Sequence, residues 1–283
     1  MSSLKDKQLQ KKIVLVTGAS SGIGYCVAHG LKDKGYQVIA TVRKPADRDR
    51  LQSEGLDVVM LDLASSGSIR ECINQTLTLS GGCLYGLFNN AAYGQPGAVE
   101  DLSRDALREQ FEVNLFGTQE LTNLVIPVMR AQGEGRIIQN SSVLGLVAMT
   151  NRGAYNASKF ALEGLSQTMR LELKDSGIFV SLIEPGPVES DFRKNALSAF
   201  RRHINPETSV HHNVYKKTVE RLAKEGPKVP FSLPAEAVLE KVVHALEKSR
   251  PKNHYFVTVP THLFAFLKRI LPDRMLQAVL ARI

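Results

Sequence analysis

Residues 12–24 read KIVLVTGASSGIG, and the chain continues as YCVAHGLKDKG to Gly35. The run from Lys12 to Thr17 is apolar and β-branched, which is typical of a strand buried on both faces. The segment after Gly24 has a helical pattern, and the glycine at its end favours termination there. A strand, a glycine-rich turn and a helix in this order predict the first unit of an α/β fold.

Further apolar runs alternate with helical patterns along the rest of the chain. This alternation predicts a parallel sheet with helices on both of its faces. At 43% hydrophobic and 23% charged residues, the composition fits one globular domain spanning residues 1–283. The expected strands are 12–17, 37–42, 57–63, 84–88, 135–140, 178–183 and 255–259, and the expected helices include 65–79, 102–129, 234–247 and one containing Tyr155.

The glycines of the first turn have the spacing G-x-x-x-G-x-G. Without side chains they let the backbone approach a pyrophosphate, while the next helix offers free N–H groups and the positive end of its dipole. A glycine-rich turn that binds no ligand is the alternative. We expect a dinucleotide's phosphates to contact Gly18, Ser20, Ser21, Gly22, Ile23 and Gly24.

The end of the second strand indicates which dinucleotide is bound. NAD enzymes usually carry an acidic residue there, which accepts a hydrogen bond from the ribose 2′-OH. This chain has Arg43 and Lys44, and its next carboxylate is Asp47. An arginine can hold the 2′-phosphate of NADP(H), which a carboxylate would repel. The sequence therefore predicts NADP(H), with Arg43 as the phosphate contact and Lys44 as its helper; a surface Arg-Lys pair is the alternative.

Three residues between positions 141 and 159 form a candidate catalytic set. Tyr155 and Lys159 are four residues apart in a helical pattern, so they share one face. Ser142 follows a predicted strand, at the sheet edge where open α/β folds bind ligands. The set supplies a phenolic acid, a cation that lowers its pKa and a hydroxyl that holds a carbonyl oxygen. Taken alone, the Tyr-x-x-x-Lys pair also fits an exposed tyrosine beside a solvated lysine.

Together with Thr17–Gly24, Asn89–Ala92 and Asn114, this set resembles the short-chain dehydrogenase/reductase family from about Lys12 to Pro187. The resemblance implies seven strands in Rossmann order and a homodimer or homotetramer formed through the helices that contain Leu102 and Tyr155. It also implies further cofactor contacts, although Ala92 replaces a commoner glycine and Ser190 a commoner threonine. Those contacts are Asp62, Leu63, Asn90, Ala91, Ala92, Tyr155, Lys159, Pro185, Gly186, Val188 and Ser190.

The resemblance gives Asn114 a catalytic role beside Ser142, Tyr155 and Lys159. Asn114 would mark a helix kink and hold a water that relays protons to Lys159. An asparagine that faces solvent or bonds its own backbone is the alternative, because asparagine is a poor helix former.

The family implies hydride transfer between NADP(H) and a carbonyl or alcohol. Glu163-Gly-Leu, Glu184-Pro-Gly-Pro and the LKRILPDR tail resemble the hydroxysteroid and retinol dehydrogenase branch and bacterial NADP-dependent aldehyde reductases, so an apolar aldehyde, ketone or alcohol is expected. The basic segment from Arg193 to Lys228, with nine Lys/Arg and three Glu, keeps an anionic substrate open. A non-catalytic NADPH-binding regulator is the rival function, although it would need only the cofactor loop.

Two segments outside the family motifs have separate expectations. Residues 191–232 are polar and irregular, with scattered aromatic residues, and are expected to form a lid over the substrate. The tail, residues 261–283, alternates apolar runs with basic residues. It could contact a membrane surface, line an apolar substrate pocket, or pack on its own domain or a dimer partner.

Composition excludes several other classes of function. The net charge of +8 has no helix-turn-helix, RNA-binding or zinc-finger pattern beside it, so no nucleic-acid partner is expected. The cysteines Cys26, Cys72 and Cys83 lack metal-ligand spacing, so we expect no metal and three free thiols in a reducing compartment. The N-terminal MSSLKDKQLQKK is polar, unlike a signal peptide, and predicts a cytoplasmic protein.

Overall fold

The computed structural model describes residues 12–223 and 230–282. Its seven strands form one parallel sheet in the order β3-β2-β1-β4-β5-β6-β7, with helices on both faces. The prediction of a doubly wound Rossmann sheet is confirmed. The strands are β1 (Ile13–Val16), β2 (Gln37–Val42), β3 (Asp57–Met60), β4 (Gly86–Asn89), β5 (Gly135–Asn140), β6 (Ile178–Glu184) and β7 (His254–Phe256).

Helices connect the strands and continue beyond the last one. Residues 45–53 form a helix that the sequence did not suggest, because Leu51 is its only buried residue. The helices are α1 (Gly22–Asp33), α2 (Pro45–Ser53), α3 (Ser66–Leu79), α4 (Arg104–Phe111), α5 (Thr118–Gln132), α6 (Gly153–Glu172), α7 (Phe192–His203), α8 (His212–Ala223), α9 (Glu236–Glu247), α10 (Val259–Ile270) and α11 (Asp273–Leu280).

The first strand shows why the chain folds into layers. Val14 and Val16 pack in a core on one face of the sheet, with α1 and α9, while Ile13 and Leu15 pack in a second core on the other. Successive side chains of a strand point to opposite faces, so a run without polar residues must be covered on both. The loops at the carboxyl ends of the strands therefore remain as the place for a site.

The helix expected at residues 102–129 is interrupted. Ser103 caps α4 and accepts a hydrogen bond from the Ala106 N–H at 3.1 Å. Residues Glu112–Gly117 then form a π-helix, which separates α4 from α5. Asn114 lies within this wider turn, so the expected kink is present.

Residues 191–232, expected to be irregular, instead contain α7 and α8; residues 224–229 of this lid segment lie outside the described residues. The buried Tyr215 hydroxyl accepts from the Ala98 N–H at 2.9 Å and donates to Asp101. The Phe200 ring packs edge-on against Tyr215, with ring centroids 5.2 Å apart. These tertiary contacts anchor α7 and α8 beside the loop that follows β4.

The tail packs one face on its own domain. Phe264 of α10 is buried beside Val143 and Leu144, and Leu276 of α11 joins the same cluster. Residues 257–259, expected to extend the last strand, instead lead into α10. Among residues 12–223 and 230–282, no helix is long and apolar enough to cross a membrane. The N-terminal stretch 1–11 and Ile283 lie outside the described residues.

Candidate active site

The three residues of the catalytic set lie together at the carboxyl edge of β5. Tyr155 and Lys159 are both buried on α6, and the Lys159 Nζ lies 5.7 Å from the centroid of the tyrosine ring. The same Nζ donates to the Asn140 carbonyl at 2.7 Å, which fixes the lysine at the end of the strand. Ser142 caps the short 3₁₀ turn Val143–Gly145, and its Oγ accepts from the Leu144 N–H at 3.1 Å.

Asn114 is held against α6 by its side chain. Its Nδ2 donates to the Tyr93 carbonyl at 2.9 Å and to the Ser158 Oγ at 3.2 Å, while its Oδ1 accepts from the Tyr93 N–H at 3.1 Å. It neither faces solvent nor bonds its own turn. Both amide hydrogens are therefore engaged, and they tie the π-helix to the residue that precedes Lys159.

Burial sets the protonation of the catalytic pair. It raises the pKa of Tyr155 to about 12, while the hydrogen bond with Ser142 and the charge of Arg152 act in the opposite direction. Burial also lowers the pKa of Lys159 to about 8, against the charge of Glu163. The sequence pointed to Lys159 as the cation that lowers the pKa of Tyr155, which stays a prediction; in this structure the charge of Arg152 also lowers that pKa. Arg152 was missed because its position before the helix carries no motif.

The glycine loop has the shape that a pyrophosphate requires. Gly18 has a φ of +68°, and a Cβ there would lie 2.9 Å from the Ala91 Cα. Gly22 has a φ of +56°, and a Cβ there would lie 2.8 Å from the Cβ of Ser190. Side chains are excluded at both positions by conformation and by space. These residues fit a nicotinamide dinucleotide, whose phosphates would lie against the backbone of this loop and near Ser190.

Asn90 links this loop to the catalytic strand. Its Nδ2 donates to the Thr17 carbonyl at 3.0 Å and to the Gly18 carbonyl at 3.2 Å, and its Oδ1 accepts from Asn140 at 2.9 Å. The Nδ2 of the neighbouring Asn89 donates to the Thr122 Oγ1 at 2.9 Å, which joins β4 to α5. The side chain of Asn90, expected to contact the cofactor, is thus occupied by the protein, and its bracing role was not anticipated.

The residues expected to select the cofactor lie at the end of β2. Arg43 and Lys44 are exposed just before α2. A second arginine joins them, because Arg50 of α2 donates to the Ser20 carbonyl at 2.6 Å. Arg50 also pairs with Glu54 at 3.1 Å. The sequence did not reveal Arg50, since its place beside the loop depends on a helix that lacks an apolar stripe.

The other expected cofactor contacts border the same edge of the sheet. The Asp62 Oδ1 accepts from the Ala64 N–H at 3.0 Å, and Leu63 is buried beside the π-helix. The Pro185 carbonyl accepts from the Val143 N–H at 2.8 Å, which joins the loop after β6 to the Ser142 turn. Gly186 packs on Thr258, and Val188 pairs with Leu233. Ala91 lies against Gly18, and Ala92 follows it in the same loop.

Phe192, the first residue of α7 in the expected lid segment, places an aromatic ring against Tyr155. The ring of Phe192 meets Tyr155 edge-on, with centroids 5.3 Å apart. It also fills the space beside Gly94, where a Cβ would lie 2.6 Å from the Phe192 ring. With the cluster of Val143, Leu144 and Phe264, these contacts make the surroundings of the tyrosine largely apolar.

Three arginines, Arg152, Arg193 and Arg221, lie close to one another beside this apolar region and are called the arginine rim below. Burial and then the charge of Arg221 lower the pKa of Arg152, and burial and then the charge of Arg193 lower the pKa of Arg221. Arg193 follows Phe192 directly, and Arg221 belongs to α8. Within residues 12–223 and 230–282, no carboxylate forms an ion pair with these three arginines.

The sequence from residue 12 to residue 199 matches the family model described as short chain dehydrogenase. The chain belongs to that family. This short-chain dehydrogenase is therefore an oxidoreductase, and solved structures with its fold contain NAD or NADPH.

Relatives of this short-chain dehydrogenase cover nearly its whole length. It is 42% identical over 273 residues to the uncharacterized oxidoreductase YbbO of Escherichia coli (strain K12), covering 96% of this chain and 95% of that protein. It is 32% identical over 255 residues to retinol dehydrogenase 8 of Homo sapiens, covering 85% and 79%. The structure of a short-chain dehydrogenase from Streptomyces avermitilis superposes with a TM-score of 0.74 at 27% identity, covering 92% and 94%.

Proposed function

We propose that this protein is an NADP(H)-dependent reductase of apolar aldehydes and ketones, which also oxidises the corresponding alcohols. The observation that carries the proposal is the buried Tyr155, in contact with Ser142, beside Lys159 and under Phe192. A sensor that binds the dinucleotide needs only the glycine loop, whereas this chain also keeps a complete proton-donating set. The non-catalytic regulator therefore remains the second candidate.

The mechanism follows from the groups at the end of β5. The nicotinamide supplies or accepts the hydride. Tyr155 and Ser142 hold the substrate's carbonyl oxygen, and Tyr155 donates its proton as negative charge develops there. With a pKa of about 12, Tyr155 is protonated at neutral pH, which suits the direction of reduction. Lys159 lies close enough to stabilise the phenolate that remains and is fixed by Asn140. The water that we expect beside Asn114 is part of this proposal.

The preference for NADP(H) rests on the charge at the end of β2. Arg43 and Lys44 are exposed there, and Arg50 adds a third cation beside the glycine loop. An exposed guanidinium keeps its donors available for a 2′-phosphate. Asp47 is the nearest carboxylate in sequence, and it lies 3.6 Å from Arg50, where it is partly neutralised.

The substrate region favours a molecule with an apolar body. Phe192, Val143 and Phe264 surround the tyrosine, and the similarity to a protein named retinol dehydrogenase points in the same direction. The arginine rim adds a specific feature. Arg152 lies between the apolar region and solvent with no carboxylate to pair with among the described residues. A carbonyl compound with an anionic group at its far end therefore fits better than a neutral one.

The exposed apolar surface formed by the π-helix Glu112–Gly117 and α6 supports a homodimer or homotetramer. Phe116 and Leu165 are 52% and 39% exposed, and they line one surface with Leu115 and Ala161. Contiguous exposed apolar residues of this kind mark association surfaces. The outer face of the tail, with Phe266 and Met275 exposed, keeps the expected membrane contact as a separate proposal.

Replacing Tyr155 with phenylalanine tests the catalytic assignment. Tyr155→Phe removes the proton donor without changing the packing, so we expect carbonyl reduction to fall by roughly 10²–10⁴-fold. NADPH binding, followed by the fluorescence of the reduced nicotinamide, should be unchanged. Full activity in this variant would refute the role of Tyr155. A wild-type protein that binds NADPH and turns over no member of a broad carbonyl panel would favour the regulator.

A pair of matched substrates tests the anionic group. We expect 10-oxodecanoate to be reduced with a higher kcat/KM than decanal, because a charged contact with arginine is worth roughly tenfold to a hundredfold. Arg152→Gln should remove most of this difference; because Arg152 also acts on the pKa of Tyr155, the measured quantity is the ratio of the two kcat/KM values and not the rate with decanal alone. Arg201→Gln, on the exposed side of α7, is the matched control. Equal values for the two substrates in the wild type would contradict the proposal.

A further inference from the structure

A third buried polar residue continues the line of the catalytic pair. Tyr155, Lys159 and Glu163 follow one another at intervals of four residues on α6, so they lie on one face of the helix. All three are buried, and Glu163 is 5% exposed. The mechanism above uses the first two and gives no role to the third.

The carboxyl group of Glu163 lacks the partners that a buried charge requires. Among the described residues, neither oxygen of Glu163 nor the nearby Ser141 hydroxyl has a hydrogen bond of ordinary geometry. Burial, and then the charge of Glu184, raise the pKa of Glu163 to about 7, against Ser141, His254 and Lys159. Glu163 can therefore hold or release a proton near neutral pH.

His254 connects this carboxyl group with solvent. Its Nδ1 lies 4.0 Å from the Glu163 Oε2 and 2.6 Å from the Glu184 Oε1, and its side chain is 31% exposed. The other oxygen of Glu184 accepts from the Tyr255 N–H at 3.1 Å. The hydrogen bond to Glu184 raises the pKa of His254 above its ordinary value, so this contact favours the protonated imidazolium.

The same cluster could be considered as a metal site, because ligand atoms of Glu163, Glu184 and His254 lie within 4.8 Å of one another. Two observations favour protons over a metal ion. The positive charges of Lys159 and Arg170 already act on Glu163. Both oxygens of Glu184 are engaged by the protein. The charged groups that face Glu163 are thus two cations, one carboxylate and one imidazole.

We propose that Glu163 is a proton-transfer residue that links Lys159 to His254, and through the partly exposed His254 to solvent, as a second route beside the water expected at Asn114. The inference rests on the proposed carbonyl reductase activity. In each reduction the O–H bond of Tyr155 breaks and the substrate oxygen takes the proton. The phenolate regains a proton from the Lys159 ammonium. Glu163 has no direct hydrogen bond to Lys159 or His254 among the described residues, so the two remaining transfers, from the His254 imidazolium to Glu163 and from the Glu163 carboxylic acid to Lys159, each run through a water molecule. His254 is reprotonated by solvent, so one solvent proton enters for each carbonyl reduced.

The decisive variant is Glu163→Gln, which keeps the shape of the side chain and cannot carry a proton. On a wild type with measured reductase activity, we expect kcat to fall roughly tenfold or more while the KM for NADPH stays constant. We expect the wild-type kcat to change with pH near pH 7, where Glu163 titrates, and this change should be absent in the variant. The solvent deuterium isotope effect on kcat should rise, because proton transfer then limits the rate. The isotope effect on kcat from deuterium at the transferred hydrogen of NADPH should fall, because hydride transfer no longer does. Glu172→Gln, at the exposed end of the same helix, is the matched control.

A second variant separates proton transfer from structural support. His254→Ala should be slow in a non-buffering medium and recover when imidazole is added. The double variant with Glu163→Gln should not recover, because the acceptor between imidazole and Lys159 is absent.

Three results would overturn the inference. One is a Glu163→Gln enzyme with a wild-type pH profile and wild-type isotope effects. Another is a His254→Ala enzyme that imidazole does not rescue. A third is a wild type whose activity is lost on chelation and restored by a divalent metal, which would assign the cluster to a metal ion. A wild type without reductase activity would instead refute the proposed function.

Discussion

The buried carboxyl group of Glu163 should make the folded protein less stable as the pH rises. Its pKa is about 7 in the fold against an ordinary value of 4.5. The folded state therefore binds a proton more tightly than the unfolded state, and unfolding becomes easier as the pH rises from 4.5 through 7. At 1.36 kcal/mol per pKa unit, this costs about 3 kcal/mol above pH 7 and nothing well below pH 4.5.

The measurement is the free energy of unfolding in urea at pH 5.5 and at pH 8, for wild type and Glu163→Gln. About 2 kcal/mol of the penalty develops between these two values, so the wild type should lose that much more stability than the variant. Glu184 and His254 also have raised pKa values, the first through burial and the second through Glu184. Both groups therefore also lower the free energy of unfolding as the pH rises. Because they are present in the wild type and in Glu163→Gln, most of their contribution cancels in the difference between the two proteins.

A glutamine at position 163 has its own desolvation cost, but this cost does not change with pH and cancels in the difference. Glu172→Gln should follow the wild type at both values, since Glu172 is exposed. Parallel pH dependence in the wild type and Glu163→Gln would refute the reasoning. Glu163 would then be ionised throughout this range, and its role in proton transfer would also lose its basis.

Three further predictions concern the cofactor, the direction of the reaction and assembly. Arg43→Ala should raise the KM for NADPH about tenfold and leave that for NADH unchanged, because only NADPH carries the 2′-phosphate; equal effects on both would contradict the assignment. Alcohol oxidation should accelerate with pH by about tenfold per unit below the pKa of Tyr155, since the phenolate fraction does so, and a flat profile of kcat/KM would argue against a tyrosine base. If the wild type forms the proposed homodimer or homotetramer, Phe116→Glu should have a lower mass in light scattering, because a charge replaces an apolar side chain that is 52% exposed; an unchanged mass would place the interface elsewhere.

The sheet, and the placement of the candidate catalytic residues at its carboxyl edge, could be predicted from the sequence because their signals are local. The glycine loop follows a buried strand directly, and Tyr155 and Lys159 are one turn apart on the same helix.

The groups that surround the site could not be predicted, because distant segments bring them together. Glu163 and His254 are 91 positions apart, and neither belongs to a motif that pairs them. The lid helices depend on contacts such as that between Tyr215 and Ala98, which overcome a polar sequence with few helix signals. Arg152 is brought close to Tyr155 by the turn at the start of α6. No spacing pattern in the sequence indicates this proximity.

The hydrogen bonds of Asn90 have a consequence for the order in which ligands bind. One amide group joins the carbonyls of the glycine loop to Asn140, and the Asn140 carbonyl in turn accepts from Lys159. A dinucleotide bound to the loop therefore restricts the motion of Asn140, which is two hydrogen bonds from the loop. The carbonyl of Asn140 holds Lys159, so the position of the lysine is restricted as well. The dinucleotide should therefore enter first and leave last, so the carbonyl compound meets a lysine that is already aligned. The loop and the catalytic strand then act as one rigid unit rather than as separate binding and reacting parts.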